Sequence, residues 1–130
     1  MTHNTFRPEG YPQMSPYLMV TEGEQVVRFL REAFDAVELR RFDGPGGTIA
    51  HLELRIGDGV VMLSEGGGDF PPFPAWIHLY LPDVQSSFQR ALAAGGQSVQ
   101  EPVQKAGDPD LRGGVRDPSG NVWWISTQVG

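Results

Sequence analysis

The two halves of this chain repeat one order of predicted secondary-structure elements. In each half the pattern predicts a strand, an amphipathic helix and three further strands. One constant offset aligns matching positions of the two halves: Leu18 with Leu79, Val20 with Leu81, Glu22 with Asp83 and Val27 with Phe88. Two copies of one β-α-β-β-β unit are the best explanation of this agreement.

In the first half we predict strands over 17–20, 37–42, 48–56 and 60–64. Apolar residues recur at helical spacing between the first two strands and predict a helix over 22–34. Thr21 precedes this helix, and Glu24 follows three residues later, which is the pattern of a capping box. We therefore expect Thr21 to cap the first helix.

In the second half we predict strands over 76–81, 98–103, 111–116 and 122–127, with a helix over 84–94 that Asp83 caps. The segment Asp117-Pro118-Ser119-Gly120 predicts a tight turn before the last strand. Proline presets φ, glycine allows a positive φ, and the Asp117 carboxylate can accept hydrogen bonds from its own downstream backbone.

These elements divide the chain into four parts. Residues 1–14 form an irregular N-terminal arm, residues 15–65 the first module, residues 66–75 a Gly- and Pro-rich linker, and residues 76–128 the second module. We expect the two modules to form one domain.

Composition narrows the function classes. The 130 residues carry a formal net charge of −6, which disfavours nucleic acid and anionic membranes as partners. The chain has no cysteine, so disulfides, thiolate catalysis and cysteine metal sites are excluded. No apolar run is long enough to span a bilayer, and we expect a cytoplasmic protein without a membrane partner.

The sequence resembles the vicinal oxygen chelate superfamily, which includes glyoxalases, bleomycin-resistance proteins and extradiol dioxygenases, and within it the PhnB-like branch. The matching stretches are Pro8-Glu9-Gly10-Tyr11, Ser15-Pro16-Tyr17-Leu18, 50–58, 62–65, 78–84 and 117–127. The resemblance implies an α+β fold of two βαβββ modules, whose curved mixed sheets enclose a cleft. It also implies a homodimer.

Metal-dependent members of this superfamily hold a divalent ion with His or Glu side chains from the first and last strands of each module. Carried over to this sequence, those positions are Ser15, Met62 (or Leu63), Trp76 and Trp124. None of these side chains is a useful ligand for Zn, Ni, Fe or Mn. We therefore predict neither a metal nor any other cofactor at these positions.

Strand alternation assigns the remaining side chains to a helix-packed face or a cleft face. Trp123 and Ile125 are expected in the core, whereas Trp124 and Ser126 face the cleft. The predicted ligand-binding residues are Tyr17, Met19, His51, Glu53, Met62, Trp76, His78, Tyr80 and Trp124. An aromatic lining with a few polar groups is typical of a small-molecule pocket.

Structural roles compete with each of these assignments. His51 and Glu53 could form only a structural hydrogen-bonded pair, and His78 could be a satisfied or dimer-interface residue. The two cleft tryptophans could simply fill the cleft. Arg40, Arg41 and Arg55 are more typical of solvated or ion-paired residues than of ligand contacts.

Two function classes remain. The preferred interpretation is metal-free binding of a small planar or amphipathic molecule, sandwiched between aromatic side chains. The alternative is an enzyme of the lyase, isomerase or dioxygenase type. It would use His51, Glu53 and His78 for an atypical metal site, or His78 and Glu53 as general base and acid without a metal.

Overall fold

A computed structural model describes residues 6–130, so the first five residues of the predicted N-terminal arm lie outside the described part. Each half contains one helix and four strands. The elements are β1 (Tyr17–Val20), α1 (Gly23–Phe34), β2 (Val37–Asp43), β3 (Ile49–Ile56), β4 (Gly59–Glu65), β5 (Trp76–Tyr80), α2 (Val84–Ala93), β6 (Gln97–Val103), β7 (Asp110–Arg116) and β8 (Val122–Gln128), with a short 3₁₀ turn at Pro45–Gly47. Each predicted strand and helix boundary agrees with these bounds to within one residue.

The strands form two four-stranded mixed sheets with the same topology. The first has the order β1-β4-β3-β2 and the second the order β5-β8-β7-β6. β1 runs parallel to β4 and β5 runs parallel to β8, whereas the other neighbours are antiparallel. The expected α+β architecture of two βαβββ modules is confirmed.

One hydrophobic core joins the two modules through their helices. Leu30 on α1, Leu54 on β3, Phe88 on α2 and Trp123 on β8 are fully or almost fully buried members of the same cluster. The Phe34 and Trp123 rings lie 5.6 Å apart across the junction. Each sheet therefore has a covered face under the helices and an opposite face, which we call the open face.

The predicted cap of α1 is wrong. The residue at the N-cap is Glu22 in the left-handed conformation, with φ of 54° and no side-chain capping bond. The Glu65 carboxylate at the end of β4 instead accepts hydrogen bonds from the backbone N–H groups of Gly23 (3.2 Å) and Ile49 (2.8 Å). The local pattern at Thr21 is overridden because β4 ends beside the start of the helix.

The cap of α2 and the turn before β8 are confirmed. Asp83 accepts a hydrogen bond from the Ser86 N–H at 3.1 Å. The buried Asp117 carboxylate accepts from the backbone N–H groups of Ser119 (2.9 Å) and Asn121 (3.0 Å), and also from the Trp123 indole N–H at 2.9 Å. This turn therefore also anchors the core tryptophan.

Neither helix in residues 6–130 has the length and apolar character needed to cross a membrane.

Candidate functional site

The open face of the first sheet carries a chain of hydrogen bonds that we call the first-sheet cluster: Tyr11, Tyr17, His51 and Glu53. The Tyr11 hydroxyl donates to Glu53 Oε1 at 2.5 Å. Glu53 Oε2 lies 2.7 Å from His51 Nε2, and His51 Nδ1 lies 2.9 Å from the Tyr17 hydroxyl. The cluster thus runs from a carboxylate with 4% exposure to a phenol with 45% exposure.

Strand register explains this arrangement. Tyr17 and Glu53 both pair with Met62, which lies between them on β4, and Arg40 pairs with Glu53 from β2. His51 is two residues before Glu53 on β3, so both side chains lie on the open face. Register therefore places Tyr17, Met62, Glu53 and Arg40 in one row across the four strands.

Tyr11 reaches the cluster from outside the sheet. Gly10 has a φ of 81°, a conformation that glycine adopts readily, and its carbonyl accepts a hydrogen bond from Arg55 Nη1 at 3.1 Å. This contact fixes residues 8–12 against β3. Tyr11 consequently covers Glu53 and contributes to the burial of its carboxylate.

Glu53 is held in its charged form. Burial raises its pKa, but the hydrogen bonds from Tyr11 and His51 and the charge of Arg40 outweigh burial, so the pKa lies below the usual range. Arg40 Nε lies 3.5 Å from Glu53 Oε1. Burial and the hydrogen bond to Glu53 raise the pKa of Tyr11, which keeps this phenol protonated.

The open face of the second sheet carries an aromatic group that we call the second-sheet cluster: Trp76, His78, Tyr80 and Trp124. The Trp76 and Trp124 rings lie 5.3 Å apart in an edge-to-face arrangement, and the His78 and Tyr80 rings lie 4.7 Å apart. Trp124 lies over Gly114, where an added Cβ would approach the indole to 2.7 Å. Glycine at this position therefore allows the close approach of the indole to β7.

Polar partners from β7 and β8 fix the second-sheet cluster. Tyr80 donates to Asp110 Oδ2 at 2.7 Å, and Arg112 donates to the same oxygen at 2.9 Å. His78 Nε2 is hydrogen-bonded to the buried Ser126 hydroxyl at 3.0 Å. Desolvation and the nearby Arg112 charge lower the pKa of His78, with Asp110 opposing, so the imidazole is neutral at pH 7.

Eight of the nine predicted ligand-binding residues fall into two separate groups. Tyr17, His51, Glu53 and Met62 lie on the first open face, and the four residues of the second-sheet cluster lie on the second. Among residues 6–130, no hydrogen bond, ion pair or ring contact joins the two groups. The remaining residue, Met19, lies on β1 two residues after Tyr17.

Two surface grooves include members of these groups. A groove of about 470 Å³ is lined by Tyr17 and Met19 together with Ser64, Glu65, Gly67 and Phe70. A second groove, of about 630 Å³, lies between β5 and the β3–β4 turn and is lined in part by His78 and Tyr80. Neither groove includes Trp76 or Trp124.

The positions that correspond to superfamily metal ligands do not fit a divalent ion. Ser15 offers a neutral hydroxyl, Met62 a thioether, and Trp76 and Trp124 offer indoles. None of these groups is a useful ligand for Zn, Ni, Fe or Mn. Within residues 6–130, no group of three His, Cys, Asp or Glu side chains could hold a metal ion. The expectation that no metal binds here remains a prediction.

Sequence reasoning missed four side chains that complete these clusters: Tyr11, Arg40, Asp110 and Arg112. Tyr11 had a signal, because Gly10 before it indicates a turn, but the arm was predicted as irregular. Arg40 was predicted as solvated or ion-paired, and it is half exposed and lies beside Glu53. Asp110 and Arg112 carry no local signal, because strand pairing alone brings them to Tyr80.

Sequence comparison gives a family and several relatives. The sequence model of the "Glyoxalase/Bleomycin resistance protein/Dioxygenase superfamily" matches residues 13–125. The chain is similar to the uncharacterized protein Mb0911c of Mycobacterium bovis, with 38% identity over 129 residues that cover 91% of this chain and 84% of the relative. The uncharacterized protein Rv0887c of Mycobacterium tuberculosis is 38% identical over the same length and is covered to 75%.

Comparison with solved structures finds proteins that share this fold. The chain is similar to TioX from Micromonospora sp. ML1, with a TM-score of 0.76, 27% identity and coverage of 90% of this chain and 98% of TioX. It also shares its fold with TnmS3, an antibiotic binding protein from Streptomyces sp. CB03234. That comparison has a TM-score of 0.68 and 19% identity, and covers 91% of this chain and 99% of TnmS3.

Proposed function

The chain belongs to the glyoxalase/bleomycin resistance protein/dioxygenase superfamily, and we propose that it binds a small planar or amphipathic molecule without a metal. The ligand would lie against the aromatic second-sheet cluster. Stacking and desolvation would supply most of its affinity, and the polar groups of both clusters would orient it.

One observation carries this proposal: large aromatic side chains are fixed in place yet left open. Trp76 is 75% exposed and Tyr80 is 65% exposed, although Trp76 packs on Trp124 and Tyr80 is anchored by Asp110. Rigid, exposed aromatic rings are more typical of a binding surface than of a solvated face. TnmS3, which shares the fold, is described as antibiotic binding, and this is consistent with the proposed ligand class.

A second copy of the chain would complete the site. The two open faces are separate within one chain, so a cleft with both clusters on its walls needs another module to face each of them. Residues 66–75 contain several glycines and prolines, a composition that permits the modules to pair between chains. We therefore propose a homodimer in which each cleft is shared.

Fluorescence quenching with a panel of planar antibiotics and quinones tests the binding function. A ligand that stacks on Trp76 and Trp124 should quench their emission, and Trp124→Ala should abolish its binding. Phe73→Ala removes an aromatic of 55% exposure outside both clusters and is the matched control. If Trp124→Ala keeps its thermal unfolding temperature and still binds the ligand with unchanged affinity, this site is wrong.

The enzyme alternative rests on a different observation, the close contact between the buried Glu53 carboxylate and His51. A carboxylate that orients an imidazole is a common arrangement for acid–base chemistry. This alternative has a version with a metal ion and a version with metal-free acid–base catalysis, and elemental analysis of the purified protein separates the two. Bound stoichiometric Zn, Ni or Fe would also contradict the metal-free binding proposal.

The binding proposal also predicts a role for His78. His78→Ala should weaken binding of polar ligands more than that of apolar ones.

A further inference from the structure

We propose that Tyr17, His51 and Glu53 form a proton relay that recognises an acidic hydroxyl group, such as a phenol or an enol, on the bound molecule. In this relay Tyr17 contacts the ligand, His51 accepts the proton that moves through Tyr17, and Glu53 orients His51 and balances its charge. This proposal rests on the small-molecule binding proposed above and assigns the ligand's chemical class.

The geometry is a carboxylate, an imidazole and a hydroxyl in series. The distances are 2.7 Å from Glu53 Oε2 to His51 Nε2 and 2.9 Å from His51 Nδ1 to the Tyr17 hydroxyl. Both are within ordinary hydrogen-bond range. In many enzymes a base activates a hydroxyl through groups in this order. Here the carboxylate end of the series is buried and the hydroxyl end is exposed.

The hydrogen-bond polarity of the relay follows from Glu53. An ionised carboxylate only accepts, so His51 must carry its proton on Nε2 and donate it to Glu53. In a neutral imidazole, Nδ1 is then an acceptor, and Tyr17 must donate its one hydroxyl proton to it. The Tyr17 oxygen therefore offers only lone pairs toward the open face, and a ligand group there must be a donor.

When His51 carries a proton on both ring nitrogens, the relay is complementary to the deprotonated form of the same ligand. The ligand O–H bond breaks and its proton bonds to the Tyr17 oxygen, while the original Tyr17 proton bonds to His51 Nδ1. The products are a ligand oxyanion, a neutral tyrosine and an imidazolium paired with Glu53. Tyr17 now donates to the oxyanion, so each state of the relay is complementary to one state of the ligand.

The surroundings keep a charged carboxylate at the inner end of the relay and leave the outer end accessible. Glu53 is 4% exposed and remains charged, with Tyr11 and Arg40 as its other partners. The Phe42 ring lies 6.2 Å from the His51 ring on the β2 side. Tyr17 is 45% exposed and lines the groove that also contains Met19, so a planar ligand can reach its oxygen.

Two probes that differ only in whether they carry a hydroxyl proton or a methyl group on the same oxygen test the relay. 4-Nitrophenol carries an acidic hydroxyl that changes colour on ionisation, and 4-nitroanisole has the same ring with that proton replaced by methyl. At a pH where free 4-nitrophenol is mostly protonated, we expect the protein to bind it about tenfold more tightly than 4-nitroanisole. The absorption band of the phenolate should appear on binding.

Variants assign this preference to the relay. Tyr17→Phe and His51→Gln should reduce the ratio of the two affinities to about one and remove the phenolate band. Glu53→Gln should lower the ratio and shift the His51 ring ¹⁵N signals away from an Nε2-protonated tautomer, which a purely structural role would not require. Ser98→Ala, an exposed hydroxyl outside both clusters, should behave as the unsubstituted protein.

The outcomes separate this proposal from the binding function. Equal affinity for the two probes without a phenolate band overturns the relay and leaves small-molecule binding intact. The same conclusion follows if neither probe binds while a planar quinone still quenches the tryptophans. If neither the probes nor the panel bind, both proposals are wrong.

Discussion

Trp123 and Trp124 are adjacent on β8 but occupy opposite environments. Trp123 is fully buried, contacts Phe34 and donates its indole N–H to Asp117. Trp124 lies on the open face over Gly114 and beside Trp76. Strand alternation alone assigned these two faces correctly from the sequence.

This difference predicts different costs of truncation. Trp123→Ala should lower the free energy of unfolding by about 3–5 kcal/mol, because it leaves a large cavity in the core. Trp124→Ala should cost less, because part of its surface is already solvated. Urea unfolding measures both values. If Trp124→Ala proves the more damaging change, the two faces of β8 are assigned the wrong way round.

His78 and Glu53 should make stability depend on pH in two separate ranges. The folded pKa of His78 is lowered below its usual 6.5 by desolvation and the Arg112 charge. The unfolded chain therefore gains the His78 proton first, and the free energy of unfolding decreases as pH falls below 6.5 until the folded pKa is reached.

The folded pKa of Glu53 also lies below its usual 4.5, despite burial, because of its hydrogen bonds and Arg40. Its contribution to stability is present above 4.5 and is lost as pH falls through the folded pKa.

Single substitutions separate these ranges in urea unfolding measured across pH. His78→Gln should remove the decrease that begins near pH 6.5. Glu53→Gln should remove the part of the decrease below pH 4.5. If His78→Gln unfolds with the same pH profile as the unsubstituted protein in the upper range, His78 does not carry this linkage.

At the scale of the elements, local signals predicted where strands and helices lie better than how they are joined. Periodicity and turn residues give each boundary to within one residue, because β-branched runs and the Asp117 turn act locally. The cap of α1 was missed because Glu65 is remote from Gly23 in sequence. Tyr11 was missed for the same reason, since only folding brings residue 11 to residue 53.

The Glu65 contact gives a prediction for α1. Glu65→Ala leaves the Gly23 and Ile49 N–H groups without their acceptor, so the free energy of unfolding should fall by about 1–3 kcal/mol. Hydrogen exchange should become faster first at the Gly23 amide. Glu101→Ala removes an exposed carboxylate on β6 and is the control. Thr21→Ala, at the cap predicted from sequence, should have the smaller effect; a larger effect would reinstate that cap.

At the scale of the whole molecule, the helices connect the modules and the open faces remain separate. α1 and α2 pack together, and Arg90 Nη2 on α2 donates to the Ala33 carbonyl on α1 at 2.6 Å. The exposed rings of Tyr17, Trp76 and Tyr80 lie on the open faces of the two sheets. An isolated chain would leave this apolar surface in water, and we therefore predict a dimer at micromolar concentration by light scattering.

Mixed dimers test how the modules pair. Tyr17→Ala damages the first open face and Trp124→Ala damages the second, so each variant alone should lose ligand binding. If every cleft joins the first module of one chain to the second module of its partner, a mixed dimer has one cleft with both substitutions and one with neither.

Refolding equal amounts of the two variants together should then restore about one quarter of the clefts, because half of the dimers are mixed and each mixed dimer has one intact cleft. If each cleft forms within one chain, every cleft in the mixture keeps one substitution and no binding returns. Titration of the refolded mixture with the quenching ligand distinguishes these results, and a monomer at micromolar concentration would contradict the shared cleft.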